Sequence, residues 1–384
     1  DETCILAAQR GTYYIWVNPF KTFTDVSIEA TYSDAPLPDG RYVHDFVNIK
    51  VVRFEFLDAS LDWNGNHAQD TMNQVVNYYD KQSYGRFTVN YDLSEPIVYI
   101  NENKSVYDNN TSLWTDLYYD TLADLGIDTD KPGDGNLVLV VAPQVGDLNS
   151  SAAPPLMKVY QDEDITREYR VDPGVIAHEM GHAFGLRHAK SLEAASNVFG
   201  TGADYEAESI NYGNVHSMMG MGAYSQDEYN LLYKYFFEAW NIEFEVTEVA
   251  SSGTYRIYAF DQGDIGGNLG LKLASGNGLY NYWLEYRTTG GDINEEGILI
   301  NVQGYYETET NPDFWKTTSY LLDMTPDSNQ PGPDDWFGND FKDAHLTIGN
   351  SYTDEWGGFT ITPTSTGGMF GTSSAYIEID VIIH

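Results

Sequence analysis

Residues 178–188 read HEMGHAFGLRH, and this string constrains the fold more than any other stretch of the chain. His178 and His182 stand four apart, so on a helix both side chains leave the same face and can meet at one metal ion. Glu179 neighbours them on that helix, placed to take a proton from a water held at the metal. Gly185 can adopt the positive φ that ends a helix and turns the chain. The turn brings His188 back as a third ligand. Three neutral imidazoles with an open fourth position make a catalytic zinc arrangement, whereas structural zinc sites are closed and usually carry cysteine. The chain has a single cysteine, Cys4, so no internal disulfide can form either. Five fixed positions at this spacing would arise by chance in on the order of one chain of this length in 10⁵, which leaves core histidines a poor explanation.

Around that motif the residue pattern predicts further elements. Val47–Phe56 is rich in β-branched and aromatic residues and reads as a strand. Met72, Val75, Val76 and Tyr79 fall on one face of a helix that Gly85 caps. A second helix fits Ser112–Leu125, with Leu113, Leu117, Leu122 and Leu125 inward. Asn136–Ala142 is a continuous apolar run, the pattern of a buried central strand, and Leu156–Tyr160 is a second extended segment. Asp172-Pro173 supplies an N-cap and a first helical residue for the helix of the histidine motif. Ser225–Trp240 reads as a last helix, opened by a Ser225/Glu228 capping box and buried through Leu232, Tyr235, Phe236 and Ala239. Beyond residue 245 no helical period appears. Short β-like runs (Thr254–Phe260, Tyr282–Arg287, Gly297–Val302, Tyr320–Asp323, Gly358–Thr362, Ala375–Ile383) alternate with turn residues, as in an antiparallel sandwich. With 384 residues the chain exceeds what one core usually spans, which favours two domains.

Charge removes some partners. Lys plus Arg number 20 against 58 Asp plus Glu, a net charge of −38. A surface that acidic repels phosphate backbones and anionic membranes, and the longest aliphatic run, Leu137–Val141, is far short of a bilayer span. The acidic, oxygen-rich turns at 62–66, 128–136, 261–268 and 323–343 are candidates for Ca²⁺, although none completes an EF-hand loop. His44, His67, His216, His345 and His384 lack ligand spacing and are expected at the surface or in structural roles.

The string 178–188 is the extended signature HExxHxxGxxH, and through it the chain resembles the metzincin metallopeptidases. That resemblance implies a methionine-containing turn beneath the metal. Ser217-Met218-Met219-Gly220 follows the third histidine, and Met219 aligns best with the S/D-x-M-G form, Met218 being the alternative. Astacin- and serralysin-type members carry a tyrosine two residues after that methionine; here the position is Met221, and Tyr224 is the nearest substitute as a transition-state partner. Within the clan the chain is most similar to the gametolysin-like and immune-inhibitor-A-like secreted peptidases. The similarity rests on YYDKQSYGRF (78–87), HSMMGMG (216–222), WLEYR (283–287) and YLLDMTP (320–326), besides the histidine motif.

The resemblance implies an α+β metzincin-like catalytic domain, a mixed twisted sheet with a zinc helix, followed by an all-β sandwich-like domain. The division expected is 1–40 as a prosegment remnant or extra strands, 41–245 as the catalytic domain and 246–384 as an accessory β domain. The implied function is that of a secreted, monomeric zinc endopeptidase acting on extracellular proteins, with catalytic Zn²⁺, Glu179 as general base, and structural Ca²⁺ as an additional expectation. Metzincins lay the peptide substrate antiparallel to an edge strand; Leu156, Met157, Lys158, Val159 and Tyr160 are the candidate edge. The alternative is a catalytically weak or inactive scaffold that binds matrix or glycans through its β domain, against which the intact Glu179 argues.

Overall fold

In the computed structural model, the described residues are 42, 44–129, 135–163, 170–193, 198–199, 208–223, 227–237, 240, 242–263, 266–289, 297–304, 318–326 and 339–384. Residues 1–40, Tyr224, Ser225 and Ala239, and parts of the acidic turns beginning at Asp128, Asp261 and Asp323, lie outside them.

The first strand sets the architecture of the N-terminal half. In β1 (Phe46–Phe56), Val47, Ile49 and Val51 face one core, and Val52, Phe54 and Phe56 face another. A strand that is apolar on both sides needs cover on both, the usual condition of a parallel sheet between helices. β1 runs parallel to β2 (Thr88–Asp92), β3 (Val98–Ile100) and β4 (Asn136–Pro143). β5 (Ser151–Ala153) and β6 (Leu156–Gln161) complete this sheet, β6 parallel to β4 and β5 antiparallel to β6, in the order β2-β1-β4-β6-β5. Helix α1 (Gly65–Gln82) covers the Val47 side; α2 (Ser105–Asp108) and α3 (Thr111–Asp124) cover the other. Helix α4 (Pro173–Ala183) lies beside α1 through Ile176, Ala177 and Met180.

Three expectations are corrected here. In α3 the inward stripe is Trp114, Tyr118 and Leu122, whereas Leu113 and Leu125 are exposed. The core on that side is aromatic: Trp114 packs edge-on against Phe54 and donates its indole N–H to Tyr160 Oη at 3.1 Å. Second, Leu156–Lys158 is not a free edge, because β5 pairs with it and itself forms the rim of the sheet. Lys158 sits over the Tyr118 ring on the α3 side. Third, the last helix shrinks to α5 (Leu231–Phe236), capped by the Asn230 side chain, which accepts from Tyr233 N at 3.0 Å. The residues before it have their backbone groups engaged elsewhere. Asp227 N donates to Gly222 O, Glu228 O accepts from Met218 N, and Tyr229 N donates to the Gln82 side chain. A longer helix would break those bonds.

The C-terminal half is β-rich. β7 (Ala189–Glu193) and β8 (Glu208–Ile210) are followed by β9 (Val246–Glu248), β10 (Gly253–Tyr258), β11 (Gly270–Ala274), β12 (Tyr280–Glu285), β13 (Gly297–Gly304), β14 (Ser319–Leu322), β15 (Leu346–Thr347), β16 (Tyr352–Thr353), β17 (Phe359–Gly367) and β18 (Tyr376–Ile383). One sheet has the order β8-β7-β14-β13-β12-β11-β9 with β15 beside β13; the other is antiparallel, β10-β18-β17-β16. They enclose a common core that includes Leu271, Leu284, Ile300, Phe359, Ile377 and Ile379. The boundary expected near residue 245 is crossed by hydrogen bonds: β7, which follows the histidine motif directly, pairs in parallel with β14 from Ser319↔Ala189 to Leu322↔Leu192. Strands β9 and β11 to β15 therefore share a sheet with β7 and β8. No helix among the described residues is long and apolar enough to cross a membrane.

Candidate metal centre

Helix α4 begins where Asp172 Oδ1 accepts from Gly174 N at 2.7 Å, with Pro173 at the first helical position. It is anchored from below by two buried tyrosines: Tyr79 and Tyr229 both place their hydroxyls 3.0 Å from the carbonyl of Ala177, one residue before the first histidine. It ends at Ala183, and Gly185 adopts φ +98 and lets the chain double back. That reversal carries His188 to the two helical histidines. The ring centroids are 4.8 Å apart for His178–His182, 4.7 Å for His182–His188 and 5.5 Å for His178–His188. One nitrogen from each ring lies within 4.8 Å of the others, so the three could hold a single metal ion.

The hydrogen bonds select the ligand atoms. His178 Nδ1 donates to Met218 O and His182 Nδ1 to Leu186 O, both at 2.8 Å, and His188 Nδ1 donates to Asn211 Oδ1 at 3.1 Å. A carbonyl oxygen only accepts, so each Nδ1 carries the proton and each Nε2 keeps its lone pair for the metal. Burial reinforces this. It lowers the His178 pKa to about 3 and that of His188 to about 4, with His182 shifted the same way; coupling to the neighbouring imidazoles adds to the shift of His178 and His188, and the Arg187 charge to that of His182. All three imidazoles are thus neutral at physiological pH, the form that binds metal. The donor set fits a borderline cation that accepts nitrogen ligands.

Glu179 is buried at 5 % exposure, and its Oε2 has no hydrogen-bond partner among the described residues. Burial pushes its carboxyl up to about 8, against the pull of the Lys158 charge. Glu179 thus directly follows His178 on α4 and carries a buried carboxyl group with one oxygen unpartnered among the described residues.

Met219 is fully buried beneath α4. A Cβ on Gly181 would fall far inside contact distance of Met219 Sδ, so glycine at that position is what lets the turn approach the helix. The turn is tied down by Ala189 N to Met219 O at 2.7 Å and Gly220 N to Ser217 O at 2.8 Å. Of the two candidate methionines, Met219 supplies the side chain against α4 and Met218 the carbonyl that orients His178.

Several site residues carried no signal in the sequence. Asn211 bonds His188, and the Tyr212 ring packs against the His188 ring, tilted by 33° with centroids 3.7 Å apart. Neither stands at a motif spacing, and only the tertiary path of the loop brings them in. Arg287 donates to His216 O in the turn, while Glu285 holds Arg287 at 2.6 Å and accepts from Leu231 N at 2.6 Å. Both belong to the WLEYR stretch, residues 283–287. His216 and His345 are buried with rings 5.4 Å apart, not superficial, and His216 Nε2 donates to Phe341 O at 3.1 Å.

The acidic turns behave differently from the histidines. Asp62 pairs with Arg170. Asp261 accepts from Thr288 N, Thr289 N, Thr289 Oγ1 and Gln262 Nε2, which satisfies its carboxylate with protein donors. Among the described residues the histidine trio is the one grouping of three or more metal-ligating side chains. No protein-family model matches this chain, and no curated protein matches it.

Proposed function

We propose that this protein is a zinc-dependent endopeptidase of the metzincin type, acting outside the cell on protein or peptide substrates. The observation that carries the reading is the pairing of three imidazoles, each with Nδ1 committed as a donor, with a buried carboxylate whose Oε2 is unpartnered. His178, His182 and His188 would hold the ion through Nε2. Zn²⁺ bound there supplies Lewis acidity, bringing the pKa of a water towards ~7 and polarising a peptide carbonyl. Glu179 takes the proton of the attacking water and delivers it to the leaving amine. Asn211, Leu186 and Met218 keep the imidazoles in one tautomer through the cycle. The extended substrate pairs along β5, the antiparallel rim of the sheet, by β-augmentation.

The test is hydrolysis of casein or gelatin by the purified protein. Cleavage should be abolished by 1,10-phenanthroline and restored by stoichiometric Zn²⁺. Chelator-insensitive cleavage, or a protein that binds no transition metal, would contradict the proposal.

A further inference from the structure

We infer that Asn211 and Tyr212 form a clamp that positions His188 and thereby sets the affinity of the metal centre; this rests on the metal-binding role proposed for the three histidines. His188 needs such support more than its partners do. His178 and His182 are fixed by the helix they share, whereas His188 comes after α4 has ended and before β7 begins. Its imidazole is held from the loop 211–222 instead. Asn211 Oδ1 accepts a hydrogen bond from Nδ1–H, which fixes the tautomer and the rotation of the ring about its own axis. Tyr212 lies against its face, 3.7 Å between centroids at 33°, and reaches the His178 ring as well, at 5.8 Å and 22°. One hydrogen bond in the ring plane and one aromatic contact on the ring face leave the imidazole a single orientation.

The backbone shows that this arrangement is held against its own preference. Tyr212 has φ +63, a left-handed conformation that an aromatic residue rarely adopts. The loop over-determines it: Tyr212 O accepts from Met221 N at 3.1 Å, Asn214 N donates to Ala189 O, and Asn214 Nδ2 donates to Asn301 Oδ1 on β13 at 2.9 Å. The side chain is thus delivered to the histidines by a loop anchored at both ends. Tyr212 and Asn211 are positioning residues, acting on the metal through His188.

The experiment measures Zn²⁺ affinity by competition with a chromophoric chelator, together with the visible absorption of the Co²⁺-loaded protein. It uses the full chain, wild type and the variants Asn211→Ala, Tyr212→Ala, Tyr212→Phe and His188→Ala. Asn211→Ala and Tyr212→Ala should each weaken Zn²⁺ binding by about 10- to 100-fold and alter the Co²⁺ spectrum. Tyr212→Phe, which keeps the ring, should retain both wild-type affinity and spectrum. In a His188→Ala background, Asn211→Ala should cost no more than about twofold further, because the residue it acts through is gone, and the loss from Tyr212→Ala should shrink to what its contact with His178 leaves. Wild-type affinity in both alanine variants, or an undiminished loss without His188, would overturn the clamp. Should Tyr212→Ala fail to fold, Asn211→Ala decides alone. Peptide hydrolysis by the wild type is scored separately: a protein that binds Zn²⁺ through the clamp yet cleaves nothing would sink the peptidase reading and leave this one standing.

Discussion

Glu179 illustrates what one buried charge does to both stability and chemistry. Its carboxyl rises from the ordinary 4.5 to about 8 because burial strips water from the charged form. The folded state therefore binds the proton more tightly than the unfolded one. The favourable contribution is complete below pH 4.5 and is lost as the pH climbs through 8. Glu179→Gln has no charge to desolvate, so in the metal-free protein it should be the more stable form at alkaline pH. We expect an advantage on the order of a few kcal/mol at pH 8.5, shrinking to about 1 kcal/mol at pH 5. Urea unfolding with chelator present, at the two pH values, measures it; a gap that does not change with pH would contradict this picture. The histidines work in the opposite direction. His178, His188 and His345 have folded pKa values of about 3, 4 and 4, below the ordinary 6.5. Their contribution is intact above pH 6.5 and drains away as the pH falls towards 4, so the metal-free protein should lose stability steeply on mild acidification.

At the level of elements, α4 and the turn beneath it form one unit. Gly181 is the point of closest approach, and Gly181→Ala would drive a methyl group into Met219 Sδ. The strain should cost about 1–3 kcal/mol, and the displaced turn would carry the Met218 carbonyl away from His178, weakening metal binding as well. Thermal unfolding and Zn²⁺ titration of this variant should move together; an unchanged melting temperature with unchanged affinity would contradict the coupling. The parts of this unit that depend on local chemistry were readable from the residues alone. Asp172-Pro173 opens the helix, Gly185 ends it, and the i, i+4 spacing puts His178 and His182 on one face. The parts that depend on distant partners were not. Residues 227–230 look helical by period, yet Gln82, Gly222 and Met218 take their backbone groups, and the helix starts only at Leu231. Likewise Leu113 gives way to Trp114 in α3, because the facing core, with Phe54 and Tyr160, suits an aromatic stripe.

Across the whole molecule, the two halves hold each other. β7 draws its parallel partner β14 from the C-terminal half. Glu285 and Arg287 reach back to Leu231 N and to His216 O in the turn that supports the histidines. Both charges are buried, and each is paired with the other. Arg287→Met should cost about 3–5 kcal/mol, the penalty for leaving Glu285 buried without its partner, and should loosen metal binding although the residue is no ligand. A truncation after residue 245 should fare worse, since it removes β14 and both charged residues at once. We expect it to be insoluble or unable to retain metal; a soluble, metal-binding product would restore the boundary that the change in periodicity suggested. That change from helical to β pattern is real, but strand pairing between distant segments leaves no local trace in the residues. Net charge is a property of this scale too. With −38 to accommodate, the fold should melt higher as sodium chloride rises from low ionic strength to about 0.5 M, where the Debye length falls below ~5 Å.

The most direct measurement pairs metal content with turnover in Glu179→Gln. The three imidazoles proposed to hold the ion are untouched by this change, so the variant should contain as much Zn²⁺ as the wild type. Its hydrolysis of casein should fall by at least about 10²-fold, the loss expected when an attacking water is deprived of its base. Equal zinc with wild-type turnover would show that Glu179 is not the base and that the proposed chemistry is wrong.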